Sequence, residues 1–356
     1  MRKLLNCIAL IILVMSVSLP VVSAEVKNLD LESAINIAKE QNLELKLATL
    51  NLEKAKLEYQ KKKANNLLNQ SRYSELQAEY NLNVAENTYQ NTINTVINNT
   101  IQQYTKLWLY NLDLEVKEKK VEVEKFLLEE AKAQYEIGDI GSVDLLEQEN
   151  TYKDAEFALE TARDDYQQNL REFKTTLGLT ETEPVLADLK HPEVWQITEK
   201  EAINAALENS IELQLKGEEL ELARIDLERT KVSSAELDKE LKKIALELSQ
   251  VDKEKTKEDI INSVQETYYQ FKQAVKNMGL KKERLTEAQE KYRLVQKQYE
   301  IGLLTITDVL QYEINMLQAE YEYKNAIASY YLEEQSLRQT IGLQSEVFAN
   351  EISEDE

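Results

Sequence analysis

The sequence predicts an all-α fold of long antiparallel coiled-coil hairpins in two tandem repeats. Three observations carry that prediction. Glu, Lys, Leu, Gln and Ala dominate, charged residues make up 30 %, and Gly occurs only seven times in 356 residues, which is the composition of long helices. A short stretch occurs twice at an offset of 164: Tyr135-Glu136-Ile137-Gly138 with Asp144-Leu145-Leu146, and Tyr299-Glu300-Ile301-Gly302 with Asp308-Val309-Leu310. Apolar residues then recur every seventh position, as in Leu145, Tyr152, Leu159, Tyr166, Phe173 and in Val309, Met316, Tyr323, Tyr330, Leu337. Sustained sevens mean left-handed coiled-coil packing. A repeat of this length is two copies of one structural unit, not an array of small ones.

Residues 1–24 read as a secretory signal peptide, with Arg2-Lys3, an apolar run from Leu4 to Val17, and Val22-Ser23-Ala24 before a cut at Glu25. The apolar run falls short of the roughly 20 residues that span a bilayer as a helix. Residues 25–179 form the first helical repeat and 198–343 the second. Asp30 is the expected N-cap of the first helix. Thr198 is its counterpart at an offset of 168, with Glu201 completing a capping box. Polar residues from Lys61 to Ser71, and Val232 to Glu236 in the second half, mark tight turns. The expected helices are 31–64, 71–137 and 142–177, then 199–231, 235–301 and 305–341. In each half two short helices stacked end to end match one long helix of roughly 100 Å, at 1.5 Å per residue. Leu107, Leu114, Val121, Leu128, Tyr135 and Phe271, Met278, Leu285, Tyr292, Tyr299 supply the facing seams. Tyrosines at this spacing read as core packing rather than a ligand-binding stripe. Gly138 and Gly302 break these runs and mark the hairpin bends. Residues 180–197, with Pro184, Pro192 and Trp195, link the halves, and 344–356 form an acidic tail.

Charge and composition narrow the function. A net charge of −22 repels nucleic-acid phosphates. The single cysteine, Cys7, lies in the leader, so a mature chain carries no disulfide and no cysteine-based metal site. The single histidine, His191, lies in the linker and reads as a surface residue. There is no Gly-rich phosphate loop and no Ser/His/Asp set. Carboxylate pairs on charged helices are solvated faces. The reading is therefore not an enzyme, with no catalytic residue, no metal and no cofactor.

The signal peptide, the duplication and the Tyr-x-x-Gly-x5-Asp-x-Leu tip resemble the TolC family of outer-membrane efflux ducts, over about residues 29–343. The second tip, Gly302-Leu303-Leu304-Thr305-Ile306-Thr307-Asp308-Val309-Leu310, and the opening Leu29-Asp30-Leu31-Glu32-Ser33-Ala34-Ile35 are especially similar. The resemblance implies a homotrimeric helical barrel in the periplasm, a passive exit duct for drugs or polypeptides. It implies a periplasmic adaptor and an inner-membrane transporter as partners, in an efflux or type I secretion system. It places Gly138, Gly302, Leu303 and Thr305 at the adaptor-docking end, where both glycines also read simply as turn residues. Asp308 becomes a candidate for the ring at the narrow aperture, and Thr305-x-x-Asp308 equally has capping-box spacing. Asp144, its repeat mate, reads as a cap. Gln311 stands where the family usually has a second aspartate, and Leu304 where a basic residue can latch the closed state.

The family inserts two β-strands between the first and second helices of each half, which together build an outer-membrane barrel. Here Lys61 to Ser71 and Val232 to Glu236 cannot hold strand pairs, since a membrane strand needs about 9–11 residues. The expectation is thus a TolC-like helical barrel without the usual β-barrel insertions, exported to the periplasm or outer membrane. The alternative is a barrel-less coiled-coil adaptor or envelope spacer with no conduit.

Overall fold

A computed structural model describes residues 29–179, 184–230 and 235–343. The proposed signal peptide and acidic tail lie outside them. So do residues 231–234, on which most of the second predicted turn falls. Eight helices follow one another among the described residues: α1 (Leu31–Gln41), α2 (Leu43–Asn69), α3 (Arg72–Glu136), α4 (Ser142–Leu177), α5 (Glu199–Asn209), α6 (Ile211–Thr230), α7 (Glu236–Glu300) and α8 (Ile306–Thr340). The only strand-like pairing there is a single parallel bridge between Leu29 and Leu186. The long helices α3 and α7 have 65 residues each, about 100 Å. Toward one end α3 pairs with α4 and α7 with α8; toward the other α3 pairs with α2 and α7 with α6. Contacts of α3 with α8 and α6 join the halves into one layer of helices.

Both expected N-caps form. Asp30 Oδ1 accepts from Ser33 N at 2.7 Å. Thr198 N donates to Glu201 Oε2 at 2.8 Å while Glu201 N donates back to Thr198 Oγ1 at 3.3 Å.

The first short helix differs from expectation in two ways. It does not stop at residue 64 but runs to Asn69, because lysine is a good helix former on an exposed face. The turn is instead Gln70-Ser71, with Gln70 left-handed at φ 45°. Asn66 fastens it: its amide donates to Ser71 O at 3.0 Å and accepts from Ser71 N at 2.9 Å. The second difference is a break at Asn42, where the backbone is extended and the Asn42 side chain accepts from Leu45 N at 2.8 Å. The expected helix 199–231 is likewise broken, at Ser210, whose Oγ accepts from Leu213 N at 3.1 Å. The two breaks are repeat mates, 168 residues apart.

The core lies at mid-length, beside these breaks and under the linker. Tyr104, Phe173 and Leu177 pack with Leu29, Ala34 and Ile35 of the first half. Phe271, Met278, Tyr330 and Leu337 pack with Ala202 and Ala206 of the second. The linker is held by aromatic polar ends. Tyr104 Oη lies 2.9 and 2.8 Å from the carbonyl oxygens of Leu29 and Ala187. Trp108 Nε1 donates to Asp188 at 3.0 Å, and Tyr330 Oη accepts from Trp195 N at 3.0 Å. Tyr330 is thus structural, as its heptad predicts, and Tyr104, which lies outside the predicted heptads, is structural too. Burial pushes the Tyr104 and Tyr330 hydroxyls far above their ordinary pKa. The C-termini of α4 and α8 tuck against the breaks: a Cβ on Gly342 would meet Asn209 Cβ at 2.7 Å, so only glycine fits there.

Candidate functional site: the paired hairpin tips

The two hairpins end side by side. At the first, α3 terminates in a reversed turn: Gly138 N donates to Tyr135 O at 3.0 Å and Asp139 N to Gln134 O at 2.9 Å. At the second, Gly302 N donates to Tyr299 O at 2.9 Å and Leu303 N to Gln298 O at 2.8 Å. Gly138 and Gly302 have φ of 80° and 73°, the left-handed region that favours glycine. A Cβ at either would meet nothing within 4 Å, so the backbone angle, not crowding, calls for glycine.

Past each bend a helix restarts. Thr305 caps α8 and Asp308 completes the box. Thr305 N and Oγ1 both donate to Asp308 Oδ2, at 2.8 and 2.7 Å, and Asp308 N donates back to Thr305 Oγ1 at 3.3 Å. Those bonds, backbone first and then hydroxyl, hold the Asp308 carboxyl below the usual carboxylate range. At the first tip Gly141 replaces the threonine, so Asp144 accepts only one bond, from Gly141 N at 2.9 Å. The capping expected for Asp144 is therefore present but weaker than for Asp308.

The tips are apolar outside. Ile137, Val143, Ile301 and Leu303 are 70–80 % exposed, although nothing in their local helix packing requires large side chains there. Tyr135 and Tyr299, expected as the last seam residues, are 45 % and 44 % exposed, lying in the last turn of α3 and α7 where the paired helix only starts. The structure brings Gly302, Leu303, Thr305 and Asp308 together on one bend and Gly138 on the neighbouring one. Further along the helices, α3 and α8 are joined by Lys119–Glu313 at 3.0 Å. Thr307 Oγ1 approaches Glu130 Oε2 at 3.5 Å.

The breaks at Asn42 and Ser210 escaped sequence reasoning. Their signal was present: both sit at the 168-residue offset shared by the caps, and both are capping residue types. Among the described residues no helix is long and apolar enough to cross a membrane.

Residues 221–343, from α6 through the second tip to the end of α8, match the model of the outer membrane efflux protein family. No curated protein matches this chain. Solved structures do. The Campylobacter jejuni CmeC outer membrane channel aligns at TM-score 0.66 and 14 % identity, over 88 % of this chain and 85 % of that one. The outer membrane protein VceC of Vibrio cholerae aligns at 0.62 and 12 %, over 88 % and 96 %. The open state of the Neisseria gonorrhoeae MtrE outer membrane channel aligns at 0.54 and 14 %, over 88 % and 89 %. The chain thus has the helical fold of these channels and resembles the TolC family, without barrel strands among the described residues.

Proposed function

We propose that this chain is the duct component of an exported efflux or type I secretion assembly in the cell envelope, built as a homotrimer. It serves as a passive conduit with no chemistry of its own. The carrying observation is the family match over residues 221–343, which contains the whole second hairpin and its tip. The exposed apolar collar at both bends supports docking of a periplasmic adaptor there, with an inner-membrane transporter supplying energy. Apolar side chains at a helical bend are otherwise a liability in water. In this reading Gly138, Gly302, Leu303 and Thr305 form the docking end. Gly302→Asp is expected to abolish crosslinking to a co-expressed adaptor while circular dichroism stays unchanged. Retained crosslinking would leave both glycines as turn residues only.

The second reading, an envelope spacer without a conduit, is favoured by one observation. Gln70-Ser71 joins α2 directly to α3, where the family carries barrel strands. Electron microscopy of the purified protein separates the two, since a duct gives end-on rings with a central hole and a spacer gives rods.

A further inference from the structure

One stretch of α3 is unlike the rest of the chain. Charged residues make up 30 % of the sequence, yet none lies between Glu86 and Lys106. Amides and hydroxyls take their place. The repeat supplies the comparison. α3 and α7 have 65 residues each and align end to end at the offset of 164, Arg72 with Glu236 and Glu136 with Glu300. Asn87, Gln90, Asn91 and Asn94 of α3 therefore stand where α7 has Val251, Glu254, Lys255 and Glu258. The α7 residues border a shallow surface groove, and all but Val251 are charged.

The α3 residues face something different. α8 ends and α6 begins in one column between α3 and α7, which both pack on each of them. A cavity of about 550 Å³ lies at this junction, between Gln339 and Thr340 of α8 and Ser210 and Ile211 at the start of α6. That volume falls within the roughly 300–1,000 Å³ of small-ligand sites. The cavity stands about 20–30 Å along α3 from its joint with α2, at 1.5 Å per residue. It thus lies apart from the tip end and from the joint end, where α2 turns into α3.

The walls hold polar groups without partners. The side chains of Asn87, Gln90, Asn91 and Asn94 form no hydrogen bond among the described residues. Nor do the hydroxyls of Thr256 and Ser263 on the α7 wall, whereas Thr95 and Thr267 bond back to a carbonyl four residues earlier. Asp259 and Glu212 complete the lining, with no ion pair among the described residues and no lysine or arginine on the walls.

This set of groups selects a ligand by its chemistry. An anion would meet two carboxylates and no cation. An apolar molecule would strip water from amides and hydroxyls and satisfy none of them. A metal ion lacks ligands, since no three His, Cys, Asp or Glu side chains come together among the described residues. A sugar fits. Each of its hydroxyls both donates and accepts, each amide offers two donors and an acceptor, and a carboxylate can take two neighbouring hydroxyls.

We propose that this cavity binds a short neutral saccharide, with the α3 amides on one side and Thr256, Asp259 and Ser263 on the other. Every wall comes from one copy, so the site stands whether or not the chain assembles into a duct.

Isothermal titration of the purified chain with cellobiose and with diacetylchitobiose tests this, with spermidine as a cationic probe. A saccharide is expected to bind, and spermidine is not. Asn91→Leu and Thr256→Val should each weaken saccharide binding about tenfold, the loss of one or two hydrogen bonds. Asn91 is exposed, so its replacement leaves packing intact, and circular dichroism checks that helicity is unchanged. Lys255→Leu, at the α7 position that matches Asn91, should bind as the parent does. Failure of both saccharides to bind, or parental affinity in both Asn91→Leu and Thr256→Val, overturns the site. Spermidine binding tighter than either saccharide overturns the neutral ligand.

Discussion

At the scale of single residues, Asp308 shows how a repeat can separate two roles. The aspartate recurs as Asp144, but the capping threonine does not: Thr305 is matched by Gly141. The Asp308 carboxylate therefore accepts two bonds where that of Asp144 accepts one, and Asp308 N donates a third back to Thr305 Oγ1. A carboxylate fixed by N–H and O–H donors has its pKa lowered, as for Asp308 and for Glu201 on Thr198. The sign follows by linkage. A group whose folded pKa lies below its unfolded value contributes stability above about pH 4 and loses it as pH falls through the folded pKa. Thermal melts of Asp308→Asn should show a small fall in Tm at pH 7 and a shallower decline between about pH 4 and pH 2 than the parent chain. A parallel acid decline in Asp308→Asn would show that the box contributes nothing to folding. Both the residue and its box were legible in the sequence, because N-cap chemistry is local. The exposure of Tyr135 and Tyr299 was not, because a heptad does not announce where its partner helix begins.

At the scale of elements, the hairpins, the bends and the equal lengths of long and paired short helices were readable from periodicity. The breaks at Asn42 and Ser210 were not. At Asn42 buried apolar residues run on through the break at sevens, as in Leu31, Ala38, Leu45 and Leu52, so nothing in the period flags that interruption. What enforces it is tertiary. The α4 and α8 C-termini come to lie against Gln41 and Asn209, with the positive-φ turns of Gly178 and Gly342 at the contact. Lys61 to Asn66 misled in the opposite direction, since a polar run on an edge helix is compatible with uninterrupted helix. If the breaks are held by their caps, Asn42→Ala and Ser210→Ala should each cost about 1 kcal/mol. Amide exchange should also show lost protection at Leu45 and Leu213, the donors to those side chains. Unchanged exchange at both amides would mean that packing alone sets the break.

At the scale of the whole molecule, the two ends do different work. The joint end exposes apolar side chains on α2 and α7, and the tip end carries capped carboxylates beside an apolar collar. In a closed homotrimer three copies of Asp308 stand at one level around one axis. Like charges so arranged repel one another, draw cations and set the field of the opening. The capping bonds do not remove that charge. They all use Oδ2, and by lowering the pKa they keep the carboxylate ionised, so cap and aperture are compatible roles of one side chain. The first tip offers the internal control, because Asp144 has the same repeat position but a weaker cap. Single-channel recordings of the reconstituted or adaptor-bound protein distinguish the roles. Asp308→Asn is expected to lower cation selectivity or divalent-ion block severalfold, while Asp144→Asn leaves both unchanged. If conductance is identical in both variants and only the acid limb of stability moves, Asp308 caps α8 and does not line an aperture.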